Sequence, residues 1–538
     1  MKKNSHYFAP DEPLKLTCHG RPKTRRELIS QGFKAGMGTV VGSSFLGMMG
    51  ANKALAQIQG YGKISGACGE AIGGGRIPFI AFDLAGGANI AGSNVLVGGP
   101  GGQGDFLSNA GYSKQGLPSD LVPSSTANVD TSLGLAFHSD SAFLRGMLSK
   151  VSQTTRANIN GSVIAARSEN DTGNNPHNPM YAINKAGANG NLVALVGSRS
   201  SDSGANSIAP ANMIDLSVRP TKIDRPSDVL GLVDVGDFGS LTKDETVAVM
   251  QSAGLLSDKK IDVFLKTAYD QGFRDSALCA YAQSAFFAEE FSDVSALDPE
   301  SADIVGPNAI FTAEQFASSN EYRKTASVMK MVIDRYAGAG TITMGGYDYH
   351  TGDRSTGEQR DFRAGECMGA CLEYAAQQGE PLMLYVYTDG SVFSNGSVMA
   401  SEANAVGGKS VWTGDSQQTS AAFFLVYNPS GAPAALSPNN EPAIDPTNTG
   451  RVTTGFQVGY MRPGGDVETS SSPAANNVNQ LVQTVMLNYM SLNGEANLFD
   501  EKFASTASAG AVGTIPGAHG LGSEESRQRL VAFGPLAT

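Results

Sequence analysis

Asp348 and His350 lie in G-G-Y-D-Y-H, directly after the apolar run T-I-T-M. Thr388 and Asp389 follow L-M-L-Y-V-Y, and Asp415 lies in T-G-D-S just ahead of the apolar run at 421–427. Asp83 closes the run I-P-F-I-A-F-D-L, and Asn89 sits in the glycine turn after it. In open α/β sheets ligands bind beyond the carboxyl ends of the strands. Carboxylates and an imidazole delivered there from separate strands would hold a divalent metal such as Zn, Mg or Ca, and the metal would activate water or a hydroxyl. His138 borders a polar turn, and His177 lies in the oxygen-rich loop N-D-T-G-N-N-P-H-N-P, which would bind Ca²⁺, position a substrate or simply be solvated. His519, in a glycine-rich tail, carries no expected role. G-G-P-G-G-Q-G at 98–104 has G-x-G spacing but no apolar helix after it, so a dinucleotide site is not expected, and no P-loop lysine, G-x-S-x-G or H-E-x-x-H is present.

The elements that must position these groups alternate. Strand-type runs occur at 77–84, 133–137, 162–166, 192–196, 341–344, 382–387 and 421–427. Helical periodicity falls on 320–336, 357–377 and 478–490, and on a helix after Leu133–Phe137 with Ser139 or Asp140 as its N-cap. The alternation predicts an α/β fold with a largely parallel central sheet sandwiched by helices. Residues 240–318 read as a helical insertion opened by the capping box T-K-D-E at 242–245, with Ile261, Phe264 and Leu265 on one face. The Pro- and Asn-rich stretch 428–449 reads as a surface loop.

The 538 residues suit one large α/β domain, and 41% hydrophobic with 17% charged residues suits a globular chain. Residues 24–29 read T-R-R-E-L-I, a weakly apolar stretch follows, and A-L-A at 54–56 offers a cleavage site. Residues 1–56 thus read as a twin-arginine-type signal, 57–538 as the mature domain, and the location as periplasmic or secreted. Residues 57–538 carry 30 basic against 48 acidic groups, a net of −18, so nucleic acid is not expected as a partner. No run after the signal approaches the roughly 20 apolar residues of a membrane span. Cys18 leaves with the signal, while Cys68, Cys279, Cys367 and Cys371 remain, either paired as disulfides or reduced and buried.

Several segments are similar, in order, to a family of twin-arginine-exported bacterial proteins of unknown function placed in the alkaline phosphatase/sulfatase superfamily. F-D-L-A-G-G-A-N-I-A-G resembles that family's glycine turn, L-A-F-H-S-D-S its G-L-H-P helix start, and G-G-Y-D-Y-H its G-G-F-D-T-H. Y-T-D-G-S and T-G-D-S correspond to its S-E-F-G-R and T-D-H-G, and the matches span most of residues 77–490. The resemblance implies a metal centre with Asp348, His350, Asp389, Asp415 and Asp83 as ligands. It also implies a hydroxyl nucleophile at a helix start, which D-S-A at 140–142 would supply through Ser141, with Ser139 in reserve. Asn89 replaces an Asp of the family and Ser416 a His, removing two candidate ligands. Two functions follow: an exported surface, assembly or binding protein with a degenerate metal site, or a metal-dependent hydrolase of phosphate or sulfate esters. The expected partners are the twin-arginine export machinery and a small ester or a protein. An oxidoreductase loaded with its cofactor before export is a third reading.

Overall fold

The computed structural model describes residues 76–125, 127–168, 175–232, 294–352, 354–398, 408–436, 456–503 and 519–536, all within one compact unit. The signal, Cys68, Cys279, the 242–245 box and the Ile261 face lie outside them. Of the expected helical insertion, Val294–Leu297 forms a short 3-10 turn and Ala313–Ser318 a helix.

An eight-stranded sheet forms the centre, ordered β12-β4-β11-β8-β1-β7-β5-β6. The strands are β1 (Phe79–Leu84), β4 (Ile159–Ala165), β5 (Val193–Gly197), β6 (Thr221–Lys222), β7 (Ala337–Met344), β8 (Leu382–Tyr387), β11 (Ala421–Tyr427) and β12 (Phe456–Val458). All run the same way except β11, which is antiparallel to both neighbours. Two further pairs, β2 (Val129–Leu133) with β3 (Leu135–His138) and β9 (Val392–Phe393) with β10 (Gly414–Asp415), stand apart. The expected α/β class with a mostly parallel sheet is therefore present.

Every residue of β1, β7, β8 and β11 is buried, as apolar runs covered on both faces require. β7 extends four residues further toward the N-terminus than its apolar run predicts, through A-G-A-G. The glycines are steric necessities: a Cβ at Gly340 would stand 2.5 Å from a Val328 methyl, and one at Gly338 would stand 2.2 Å from the Asn189 nitrogen. Close packing, which glycine's weak strand propensity hides, extends the strand.

Helices α1 (Ala142–Leu148), α2 (Asn320–Ile333) and α3 (Ser355–Gln378) cover one face, and α4 (Val478–Leu492) covers the other. Val328 of α2 meets Gly340, and Phe143 of α1 sits 6.3 Å from the ring of Phe423. α1 and α3 approach so closely that a Cβ at Gly365 would lie 2.2 Å from the Phe143 carbonyl oxygen. On the opposite face Val482, Val485 and Met486 of α4 join Tyr385 and Phe424 in one apolar cluster, and Tyr489 packs edge-on to Phe79 at 5.7 Å. α3 ends at Gly379 in the left-handed region, φ +68°. No described helix is long and apolar enough to cross a membrane.

Candidate metal site at the sheet rim

β1, β7 and β8 all end at one rim. β11 runs the other way, so its first residue, Ala421, starts at that same rim, opposite Ala165 at the end of β4. The segments after β7 and before β11 therefore meet although more than 60 residues separate them in the chain.

In the segment after β7 the Tyr349 N–H turns back to the Tyr347 carbonyl (3.1 Å), and the side chains divide between the interior and the rim. Tyr347 and Tyr349 turn inward, 1% and 3% exposed, while Asp348 and His350 face the rim. The inward hydroxyls hold the loop to α3: Tyr347 Oη donates to the Arg360 carbonyl (3.0 Å) and Tyr349 Oη to Asp361 Oδ1 (3.1 Å). Asp415 comes from β10, paired to β9 opposite Val392. Gly352 N–H donates to the Trp412 carbonyl at 2.8 Å, tying the two segments together.

Asp348, His350 and Asp415 each place a ligand atom within 4.8 Å of the other two. The imidazole Nδ1 of His350 lies 2.5 Å from Asp348 Oδ1 and 2.7 Å from Asp415 Oδ1. It is shut off from solvent, yet neither contact has the alignment of a hydrogen bond. One ring nitrogen and two carboxylate oxygens so grouped could converge on a single cation lying beside them. A mixed N/O set suits Zn²⁺ or Mn²⁺ better than Ca²⁺, and three protein ligands leave a position for water or a ligand atom.

Two other expected ligands are placed differently. Asp389 lines the same cleft as Asp348, of about 520 Å³, with Gly86, Arg199 and Lys324. Its buried carboxylate is not part of the three-residue cluster, and its Oδ1 accepts the Gly86 N–H at 2.7 Å. Asp83 is fully buried below the rim and accepts from Asn206 N, Ser207 N and Ser207 Oγ at 2.8–3.2 Å. Burial, reinforced by the charge of Asp389, pushes its carboxyl up to about 6.

Ser141, the candidate nucleophile, is completely buried and caps α1: its Oγ accepts from Leu144 N at 3.1 Å and donates to Asn94 Oδ1 at 2.8 Å. The cap thus falls after Ser139 and Asp140. Asn89 is also buried, with its side chain on Ser93 Oγ and its N–H on Tyr349 Oη at 2.7 Å. His138 is buried between the Leu121 carbonyl and Asp140 N, and burial lowers it to about 4. His177 is buried rather than solvated, with neither ring nitrogen bonded, and burial lowers it to about 3. His519 is far from idle: Nε2 lies 2.8 Å from Asp500 Oδ1, and Nδ1 accepts from Leu521 N. Cys367 and Cys371 are buried, unpaired thiols in α3.

Sequence reasoning missed the buried support. Arg354 is fully buried, stacked 4.2 Å over Trp412, and its guanidinium reaches Glu358 Oε1, Ser410 O and Ser93 Oγ at 2.9–3.0 Å. Glu358 also takes Lys409, whose ammonium is closed to solvent. This cluster joins the glycine turn after β1, the start of α3 and the approach to Asp415. The i,i+4 spacing of Arg354 and Glu358 was its only sequence signal. Asp361, bonded by Asn94 Nδ2 at 2.8 Å, is pushed up to about 8 by burial and then by the charge of Glu358.

No family model, no curated protein and no solved structure matches this chain.

Proposed function

We propose that this chain is an exported α/β protein that binds one divalent cation at the sheet rim through Asp348, His350 and Asp415. On this reading the cation secures a ligand or protein partner, on a scaffold related to the alkaline phosphatase/sulfatase superfamily whose metal centre has degenerated. The supporting observation is His350 Nδ1, enclosed between carboxylate oxygens from two distant segments and hydrogen-bonded to neither. A binding role is favoured over catalysis because the first candidate nucleophile, Ser141, is buried and spends its hydroxyl on Asn94 and the helix cap. Asp83 is likewise occupied by backbone and hydroxyl donors.

The second reading, an ester hydrolase, draws on the cleft beside Asp348, where Arg199 and Lys324 would receive a phosphate or sulfate group. A bound cation there would supply Lewis-acid polarisation and a more acidic water. Asp348 and His350 would hold it, and Arg199 would orient the ester oxygens. Metal analysis of the full chain purified without chelator tests the first reading. About one equivalent, lost in His350→Ala, is expected, and a stoichiometry below about 0.3 would sink it. Turnover of aryl phosphate and sulfate esters that disappears in Asp348→Ala would establish the second.

A further inference from the structure

The loop carrying two of the three candidate ligands is fastened at the residue between them. Tyr349 is 3% exposed, and its hydroxyl both accepts the Asn89 N–H (2.7 Å) and donates to Asp361 Oδ1 (3.1 Å). Asp361 Oδ2 accepts from Asn94 Nδ2 (2.8 Å), and Asn94 Oδ1 takes the Ser141 hydroxyl and Phe143 N–H. An unbroken run of buried hydrogen bonds therefore leads from the middle of the ligand loop to the start of α1, with a branch to the glycine turn after β1. No atom of it touches the rim. Tyr347 and Gly352 hold the loop on either side, and the Tyr349 phenol is the anchor that lies between the two ligands.

We infer that Tyr349 is a positioning residue: its hydroxyl, clamped by Asp361 and Asn89, fixes the place of Asp348 and His350 relative to Asp415 and so the affinity and geometry of the bound cation. This rests on the cation reading above. Because Asp348 and His350 are the immediate chain neighbours of Tyr349, sliding the phenol moves both together relative to Asp415. Groups that orient metal ligands from behind typically change affinity by 10–100-fold when removed.

The test is Tyr349→Phe in the full chain, titrated with Co²⁺ alone and read by visible absorption. Phe499→Leu, in the apolar packing around Phe503 and His519, serves as a variant destabilised elsewhere. The expected result is about one Co²⁺ in the wild type, roughly tenfold or greater weakening with a changed spectrum in Tyr349→Phe, and wild-type affinity and spectrum in Phe499→Leu. Wild-type affinity and spectrum in Tyr349→Phe, with Co²⁺ still bound by the parent chain, would overturn the positioning role alone. Equal losses in both variants would overturn it too, since general destabilisation would then explain them. Failure of the parent chain to bind Co²⁺ would remove the cation reading and this inference together.

Discussion

The amide nitrogen of Asp348 stands 2.6 Å from where a side chain on Gly86 would begin. Gly86 also has φ +120°, and its N–H holds Asp389 Oδ1 at 2.7 Å. The glycine turn after β1 thus brings its backbone against that of the ligand loop. Gly86→Ala would combine a forbidden φ with a backbone clash. We expect a loss of about 1–3 kcal/mol in urea melts and weakened cation binding. Wild-type stability together with wild-type binding would contradict this account of the turn.

Glu358 is the acid that Arg354 and the buried Lys409 ammonium share at the start of α3. Glu358→Gln would take the shared counter-charge from Arg354 and leave Lys409 with Asp140, 3.4 Å away, and removing one partner of such a buried group costs about 3–5 kcal/mol. Thermal melts of the variant should show a correspondingly large drop. A change within 1 °C would mean that the cluster is better hydrated than its burial indicates.

Ser141→Ala should remove the cap of α1 and one bond to Asn94, costing about 1 kcal/mol. Any ester hydrolysis by the wild type should persist in this variant. A thousandfold loss of turnover with the fold intact would restore Ser141 as the nucleophile.

Stability should decline on the alkaline side. Asp361, raised from 3.8 to about 8, binds its proton more tightly folded than unfolded, so its contribution is fully present below 3.8 and is lost as pH rises through about 8. Asp83 acts the same way up to about 6. The buried neutral His138 and His177, lowered from 6.5, oppose this trend at lower pH, because folded stability falls as the unfolded histidines take up protons below 6.5. Between pH 6.5 and 8 Asp361 is the member of this set still titrating, with a slope of at most about 1.4 kcal/mol per pH unit. Urea midpoints at pH 6.5 and 8.5 should fall in the wild type and change less in Asp361→Asn. An equal fall in both would assign the slope to other groups.

Much of the framework was legible beforehand. The runs at 382–387 and 421–427 are strands β8 and β11 without a residue added or lost, and the late helix differs by two residues, because long apolar runs have few alternatives to burial. The alternating character of G-Y-D-Y-H was also visible in the residues, though its meaning was not. Only the inward turn of Tyr347 and Tyr349 onto α3 explains why Asp348 and His350 face out.

The chain by itself determined the order of strands and helices, the α/β class and the short list of polar groups near strand ends, since each depends on neighbours within a turn or two. Tertiary structure alone decided which of those groups meet. The reversed direction of β11 brings Asp415 to His350, and the depth of Asp83 in its strand withdraws that acid beneath the rim. Such outcomes depend on strand register and on contacts between segments tens to hundreds of residues apart, and no local pattern of residues encodes them.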